Sequence, residues 1–400
     1  MDTLNEFLSA HHYPLEFFDD VLIGAGADFL RARAQESRFM LLGEEHGVGS
    51  IVNLTTALFR LIAPLGYKNY VTEIGPVSAQ RVNGLLREPD VKAAFEAFYQ
   101  KYPFSVPFAW MQEEVELLKT VVQNAHTSDT APIIGIDQEF ILSPQVHFER
   151  LLELCTDASF KTMLAGWLKV EQEANQDMRN GATPDALSIF MNFPLPEGWE
   201  ELRSWFQTHQ VDEALTIMEA VQASHVIYQH YKNEEYYDNN HVRSLLMREY
   251  FYKAFQRVDS FNPEARFLIK LGANHVSRGF TSMGIQDIGN FISELAPMLQ
   301  TQSFHMFVLP IHGTLNAWLP FLPETFKAHP VNVEEYGTAI THLVNAAPVK
   351  TGWNLYDLRP LRHRQRHWSK EVPEFLDLFL RYDAVLMMDD VRAARLVGDS

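Results

Sequence analysis

The sequence predicts an α/β protein: an open, mostly parallel sheet flanked by helices, with a large helical insertion between the third and fourth strands. Six short runs are almost continuously apolar: RFMLLG (Arg38 to Gly43), NYVTEIG (Asn69 to Gly75), APIIGID (Ala131 to Asp137), RFLIKLG (Arg266 to Gly272), SFHMFVLPI (Ser303 to Ile311) and AVLMM (Ala384 to Met388). Runs without polar alternation suit strands covered on both faces, as in parallel sheets. Helical periodicity separates the first two runs, and no strand-like segment interrupts the chain between the third run and the fourth.

Taken in order, the first strand leads into a helix marked by Ile51, Leu54, Leu58, Leu61 and Ile62, with Ser50 placed to cap it. The second strand completes a βαβ unit. Met111, Val115, Leu118 and Val122 repeat the helical spacing ahead of the third strand. Segments around Leu151, Leu164, Leu215 and Leu245 are helical in spacing and are broken by NFPLPEGW (Asn192 to Trp199). Residues 142–262 therefore read as a helical insertion covering the sheet edge, with 1–141 and 263–400 forming the α/β core. Leu315 to Tyr382 carries no clear period.

Composition narrows the function. With 46% hydrophobic and 21% charged residues, the 400-residue chain can bury a large core. No apolar run is long enough to span a bilayer, and MDTLNEFLSAHHYPLEFF lacks the basic start and apolar block of a signal peptide. A cytoplasmic protein is expected. A formal charge of −18 disfavours nucleic acid and anionic membranes as partners and leaves a small-molecule substrate. The exception is RPLRHRQRHWSK (Arg359 to Lys370), a basic stretch that reads as a solvated turn rather than an anion-binding patch. The single cysteine, Cys155, rules out an intrachain disulfide and a thiolate metal cluster.

The chemical residues cluster by position. Glu44, Glu45 and His46 follow the first strand, Glu73 ends the second, Asp137 ends the third, Asn274 and His275 follow the fourth, and His312 follows the fifth. In a parallel sheet these carboxyl ends share one edge, where open α/β sheets bind their ligands. Each residue also has a structural use: Glu44 or Glu45 suits a helix N-terminus, and Glu73 has Arg81 about two helical turns away as an ion-pair partner. Buried carboxylates are costly unless paired or bound, so their recurrence at successive strand ends favours a shared site.

Those groups suit water activation. An imidazole held by a carboxylate can take a proton from water near neutral pH, and the helix after Ser50 offers backbone N–H groups to a developing oxyanion. No G-x-S-x-G elbow supplies a serine, and Cys155 has no histidine beside it in sequence, so direct attack by water is expected. Glu44, His46, Glu73, Asp137 and His275 also form a mixed nitrogen and oxygen donor set suited to Mn²⁺, Fe²⁺ or Zn²⁺. A bound metal would make His46 a ligand instead of a base. Arg243 and Arg278 are candidates to bind a substrate carboxylate.

Gly43-Glu44-Glu45-His46 and Gly272-Ala273-Asn274-His275 are two G-x-x-H motifs with Glu73 between them. The pattern resembles the superfamily of erythromycin esterase-like proteins, Tiki/TraB-type metalloproteases and ChaN-like haem-binding proteins. The helical insertion, IGIDQE (Ile134 to Glu139), the Arg243 to Met247 segment and YDLRPL (Tyr356 to Leu361) look most like the esterase branch. That resemblance implies a hydrolase of a small-molecule ester or amide bond, with His46 as general base, Glu44 and Glu73 orienting it or the water, and His275 completing the site. Two departures bear on macrolide esterase activity. The esterase branch usually has one more residue between the glutamate and histidine of the first motif, and a histidine where Gly272 stands. The alternative is an iron or haem (tetrapyrrole) binding protein of ChaN-like type, with Phe140, Tyr236 and Tyr237 lining its cleft.

Overall fold

The computed structural model describes residues 3–125, 131–180, 189–316, 328–371 and 375–398. Its strands in chain order are β1 (His12–Phe18), β2 (Val21–Ile23), β3 (Phe39–Glu44), β4 (Tyr67–Thr72), β5 (Ile133–Gly135), β6 (Arg266–Gly272), β7 (Ser303–Pro310), β8 (Thr314–Leu315), β9 (His329–Pro330), β10 (Trp353–Asp357) and β11 (Ala384–Met388). Nine form one sheet in the order β2-β1-β10-β11-β7-β3-β6-β4-β5, and β8 pairs with β9. All six apolar runs become strands, and these six, from β11 through β5, are mutually parallel. The remaining three, β2, β1 and β10, make an antiparallel edge.

The missing polar alternation now has its cause. Phe39 and Leu41 of β3 face one apolar core while Met40 and Leu42 face the other. Beneath the first, Phe39 and Phe267 pack with Phe251 and Phe255 of the helix Tyr236–Phe261, ring centroids 5.6 to 6.2 Å apart. Over the second lie Leu54 and Leu58 of the helix Gly49–Ile62, with Leu117 and Leu118 of the helix Gln112–Asn124. Burying each large apolar side chain contributes roughly 1.5–3 kcal/mol, enough for a sheet covered on both faces to carry several buried charges at one end. Between β5 and β6 run the helices Pro144–Leu154, Ala158–Arg179, Trp199–Thr208, Asp212–Lys232 and Tyr236–Phe261.

The loop after β3 is held by a distant part of the chain. Gly47 has φ +79°, and a Cβ there would lie 2.0 Å from the Asn316 carbonyl oxygen, so only glycine fits. Its own carbonyl accepts from Asn316 N and Ala394 N. The segment around Val391 to Val397 is laced through bridges Val48 to Ala393, Met111 to Leu396 and Gly313 to Val391. This lacing corrects the expected cap: Val48 precedes the helix, and Ser50 lies inside its first turn, where its Oγ accepts from Arg392 N and its N–H donates to the Arg392 carbonyl. At least that helical N–H is therefore engaged by backbone.

Candidate active site

Parallel pairing aligns Glu44 with Gly272 and Leu42 with Lys270, bringing the ends of β3, β4, β5 and β6 to one edge. A chain of alternating acids and bases lies there. Lys270 Nζ donates to Glu114 Oε1 and Glu44 Oε1, both at 2.6 Å. Glu44 Oε1 is 3.1 Å from His46 Nδ1, and His46 Nε2 stands 3.7 Å from Glu73 Oε2. Glu73 Oε1 is 3.3 Å from His275 Nε2, whose Nδ1 meets Asp287 Oδ2 at 2.7 Å. Arg243 crosses this chain, donating to Glu73 Oε1 at 2.9 Å and to both oxygens of Asp137 at 2.5 and 2.8 Å. Gly272 N donates to Glu73 Oε2 at 2.7 Å.

Local structure explains each placement. Lys270 alternates with apolar Ile269 and Leu271 along β6, so it alone of the three points toward the helix Gln112–Asn124, where Glu114 waits in the first turn. Asp287 precedes the helix Ile288–Met298 and accepts from Ile288 N. Phe108 has a left-handed backbone, φ +65°, and its ring lies 5.2 Å from the His46 ring and 5.2 Å from Lys270 Nζ. A strained non-glycine residue at such a spot is held by its surroundings, and here it roofs both bases with an aromatic face.

The electrostatics follow from burial and pairing. Burial pushes the Glu44 carboxyl up, but Lys270 and His46 outweigh it and hold it below the ordinary range. Burial also opposes charge on Glu73, yet His275, His46 and Arg243 keep it well below the usual carboxylate value. Against its own desolvation, His46 is raised above 6.5 by Glu44 and Glu73. His275 is raised further, to about 10, as Glu73 and Asp287 overcome burial. Near neutral pH His275 is therefore held as a cation, so a neutral imidazole in this network would have to be His46.

Of the residues singled out in sequence, Glu44, His46, Glu73, Asp137, His275 and Arg243 meet in this network. Glu45 is half-buried beside it and is raised by desolvation. Glu73 pairs with Arg243, while Arg81 instead lies over the Phe98 ring. Asn274 is exposed and bonds Ser282. His312 is exposed and pairs with Asp389. Arg278 goes elsewhere: its guanidinium reaches Asp383 and the Ser303 carbonyl, at the amino ends of β11 and β7, because the chain turns back down the sheet after the short helix Ala273–Val276. Tyr236 and Tyr237 are exposed, against Tyr231 and His241. Lys270, Glu114, Asp287 and Phe108 are additions. Only the lysine inside an otherwise apolar strand left a trace in the sequence.

A divalent metal fits this donor set poorly. Asp137 is held bidentately by Arg243, and Glu44 is held by Lys270, so an added ion would sit beside one buried and one half-buried cation. Among the described residues no three His, Cys, Asp or Glu side chains are grouped to hold a metal, and no helix is long and apolar enough to cross a membrane.

No family model matches the sequence. No curated protein matches it either. Solved structures do. A succinoglycan biosynthesis protein is 12% identical, with a TM-score of 0.61 over 98% of this chain and 97% of that one. A Bacillus cereus protein is 12% identical, with a TM-score of 0.60 over 98% of each chain. A mutant of the erythromycin esterase EreC, in its open conformation, is 13% identical, with a TM-score of 0.58 over 93% of this chain and 95% of that one. The fold is thus erythromycin esterase-like, a mostly parallel α/β sheet with helices on both faces.

Proposed function

We propose that this chain is a hydrolase that activates water at His46 to cleave an ester or amide bond of a small molecule. The observation that carries the reading is the pairing of His46 between two ionised carboxylates of different use. Glu44 Oε1 at 3.1 Å accepts from Nδ1–H, fixing the tautomer in which Nε2 is the base. The 3.7 Å between Nε2 and Glu73 Oε2 suits a bridging water whose protons point to Nε2 and to the carboxylate. Arg243, His275 and the Gly272 N–H hold Glu73 ionised and in place. The roles are then distinct: His46 takes the proton, Glu44 orients the ring, Glu73 aims the water, and His275 with Asp287 keeps Glu73 charged. The likeness in fold to an erythromycin esterase supports the same chemical class.

The test is hydrolysis of a panel of small esters by the parent and by His46→Gln. General-base loss costs about 10²- to 10⁴-fold in kcat/KM. Because the base form is neutral His46 and its pKa is raised above 6.5, the rate climbs with pH on an ascending limb centred above 6.5. Equal hydrolysis by parent and variant, or a flat profile through that limb, refutes His46 as the base.

A further inference from the structure

At the opposite, amino-terminal edge of the sheet lies a polar cavity of about 330 Å³. Arg33, Arg278, Arg359, Arg362, Ser303 and Asp383 line it. The arginines come from three places: the helix Ala25–Glu36, the segment after Ala273–Val276, and the turn Arg359–Arg364. The basic stretch that read as a solvated turn therefore turns two of its arginines inward.

The charges do not balance. Four guanidiniums meet three carboxylates. Arg33 pairs with Glu36 and Arg359 with Asp357, while the single Asp383 is shared by Arg278 and Arg362 at 2.6 and 2.9 Å. His305 adds no negative charge and, pushed down to about 3 by burial and by Arg278, adds no positive one. Arg278 Nη1 and Arg33 Nε are both buried and lack a hydrogen-bond partner among the described residues. Orphaned charged donors are costly, and Arg359 is further fixed over the Phe29 and Phe304 rings, unable to swing away without losing both. Burial opposes the charge on Arg278, and Arg362 and Arg359 add to that opposition, a burden an anion would relieve.

We propose that this cavity binds a phosphate-type oxyanion, free or carried on a small molecule, at a site separate from the candidate active site. Guanidiniums converging from three elements match a tetrahedral acceptor with several oxygens better than a single planar carboxylate.

Calorimetric titration of the full chain with inorganic phosphate, and separately with glycerol 3-phosphate, tests it, alongside Arg278→Gln and Arg33→Gln shown by circular dichroism to be folded. Saturable binding is expected in low salt, weakening as sodium chloride rises. Each variant should weaken it about tenfold or more, the loss of one charge-assisted hydrogen bond. Tighter binding of glycerol 3-phosphate identifies a phosphate ester as the ligand, and preference for inorganic phosphate identifies the free ion. Absence of saturable binding to either probe by the parent overturns the proposal. So does binding that Arg33→Gln, on a surface helix, leaves unchanged.

Discussion

Replacing Lys270 by methionine tests the buried half of the candidate active-site network. Lys270 is fully buried, with Glu44 and Glu114 each 2.6 Å from the same Nζ. Methionine keeps the volume and removes the charge, leaving two buried carboxylates facing one another. Breaking a buried ion pair from one side costs about 3–5 kcal/mol, so urea unfolding at pH 7 should show a loss in that range. The pH dependence identifies the cause. In the parent, Glu44 is held low in the folded state, so its contribution is present above the unfolded value near 4.5 and lost as pH falls. Burial already raises Glu114 in the parent; without Lys270, burial and the facing carboxylate raise Glu44 too and Glu114 further, so protonation relieves the folded state of the variant more as pH falls. The gap between parent and variant must therefore narrow from pH 7 toward pH 5. A second change, Glu114→Gln in the Lys270→Met background, should recover part of the loss. A penalty below about 1 kcal/mol, of the size of a surface pair, or one that does not change with pH, refutes the account of a charge-locked network.

Three further outcomes follow from the geometry. Gly272→Ala should lower ester hydrolysis about tenfold or more while leaving the melting temperature nearly unchanged, since φ is −52° yet the new Cβ would lie 3.0 Å from His46 Nε2 and 3.5 Å from Glu73 Oε2; equal activity would show that no water works in that space. His275 is raised to about 10, so its stabilisation is full below about pH 6.5 and disappears as pH rises through about 10; the stability difference between parent and His275→Gln, on the order of a few kcal/mol, should be largest near pH 6 and shrink toward pH 10 in chemical denaturation. Dialysis against EDTA should leave hydrolysis unchanged, because in the proposed mechanism His46 is the base and Lys270 and Arg243 occupy the carboxylates around it; loss of activity restored by Mn²⁺ or Zn²⁺ would make His46 a ligand instead.

The parallel half of the sheet was legible because nearly every residue of those strands is buried on one face or the other, which writes an almost continuous apolar run into the sequence. The antiparallel edge was not. β1 contains Pro14 and buries only Leu15, between exposed Pro14 and Glu16, and β10 lies in a stretch without period. Strand ends located Glu44, His46, Glu73, Asp137 and His275, since topology alone fixes which ends share an edge. Side-chain direction and distant partners are not fixed that way. Arg278, three residues after His275, serves the other edge of the sheet, and Glu114 and Asp287 joined the network only through helix packing. Ser50 looked like a cap because nothing local reveals that Arg392 pairs with it.

That lacing sets the order in which the protein can acquire its site during synthesis. The Ser50 to Arg392 contact spans 342 positions. At about 5–20 residues per second, roughly 20 to 70 s separate the emergence of the loop that carries His46 from that of the segment that pins it. Through that interval β3, β6 and β4 can pair while Asn316 alone of the distant partners holds Gly47, so under the proposed mechanism a nascent chain stalled before Val391 should be structured and inactive, and hydrolysis should appear abruptly, with the last few residues of the contact rather than in proportion to length.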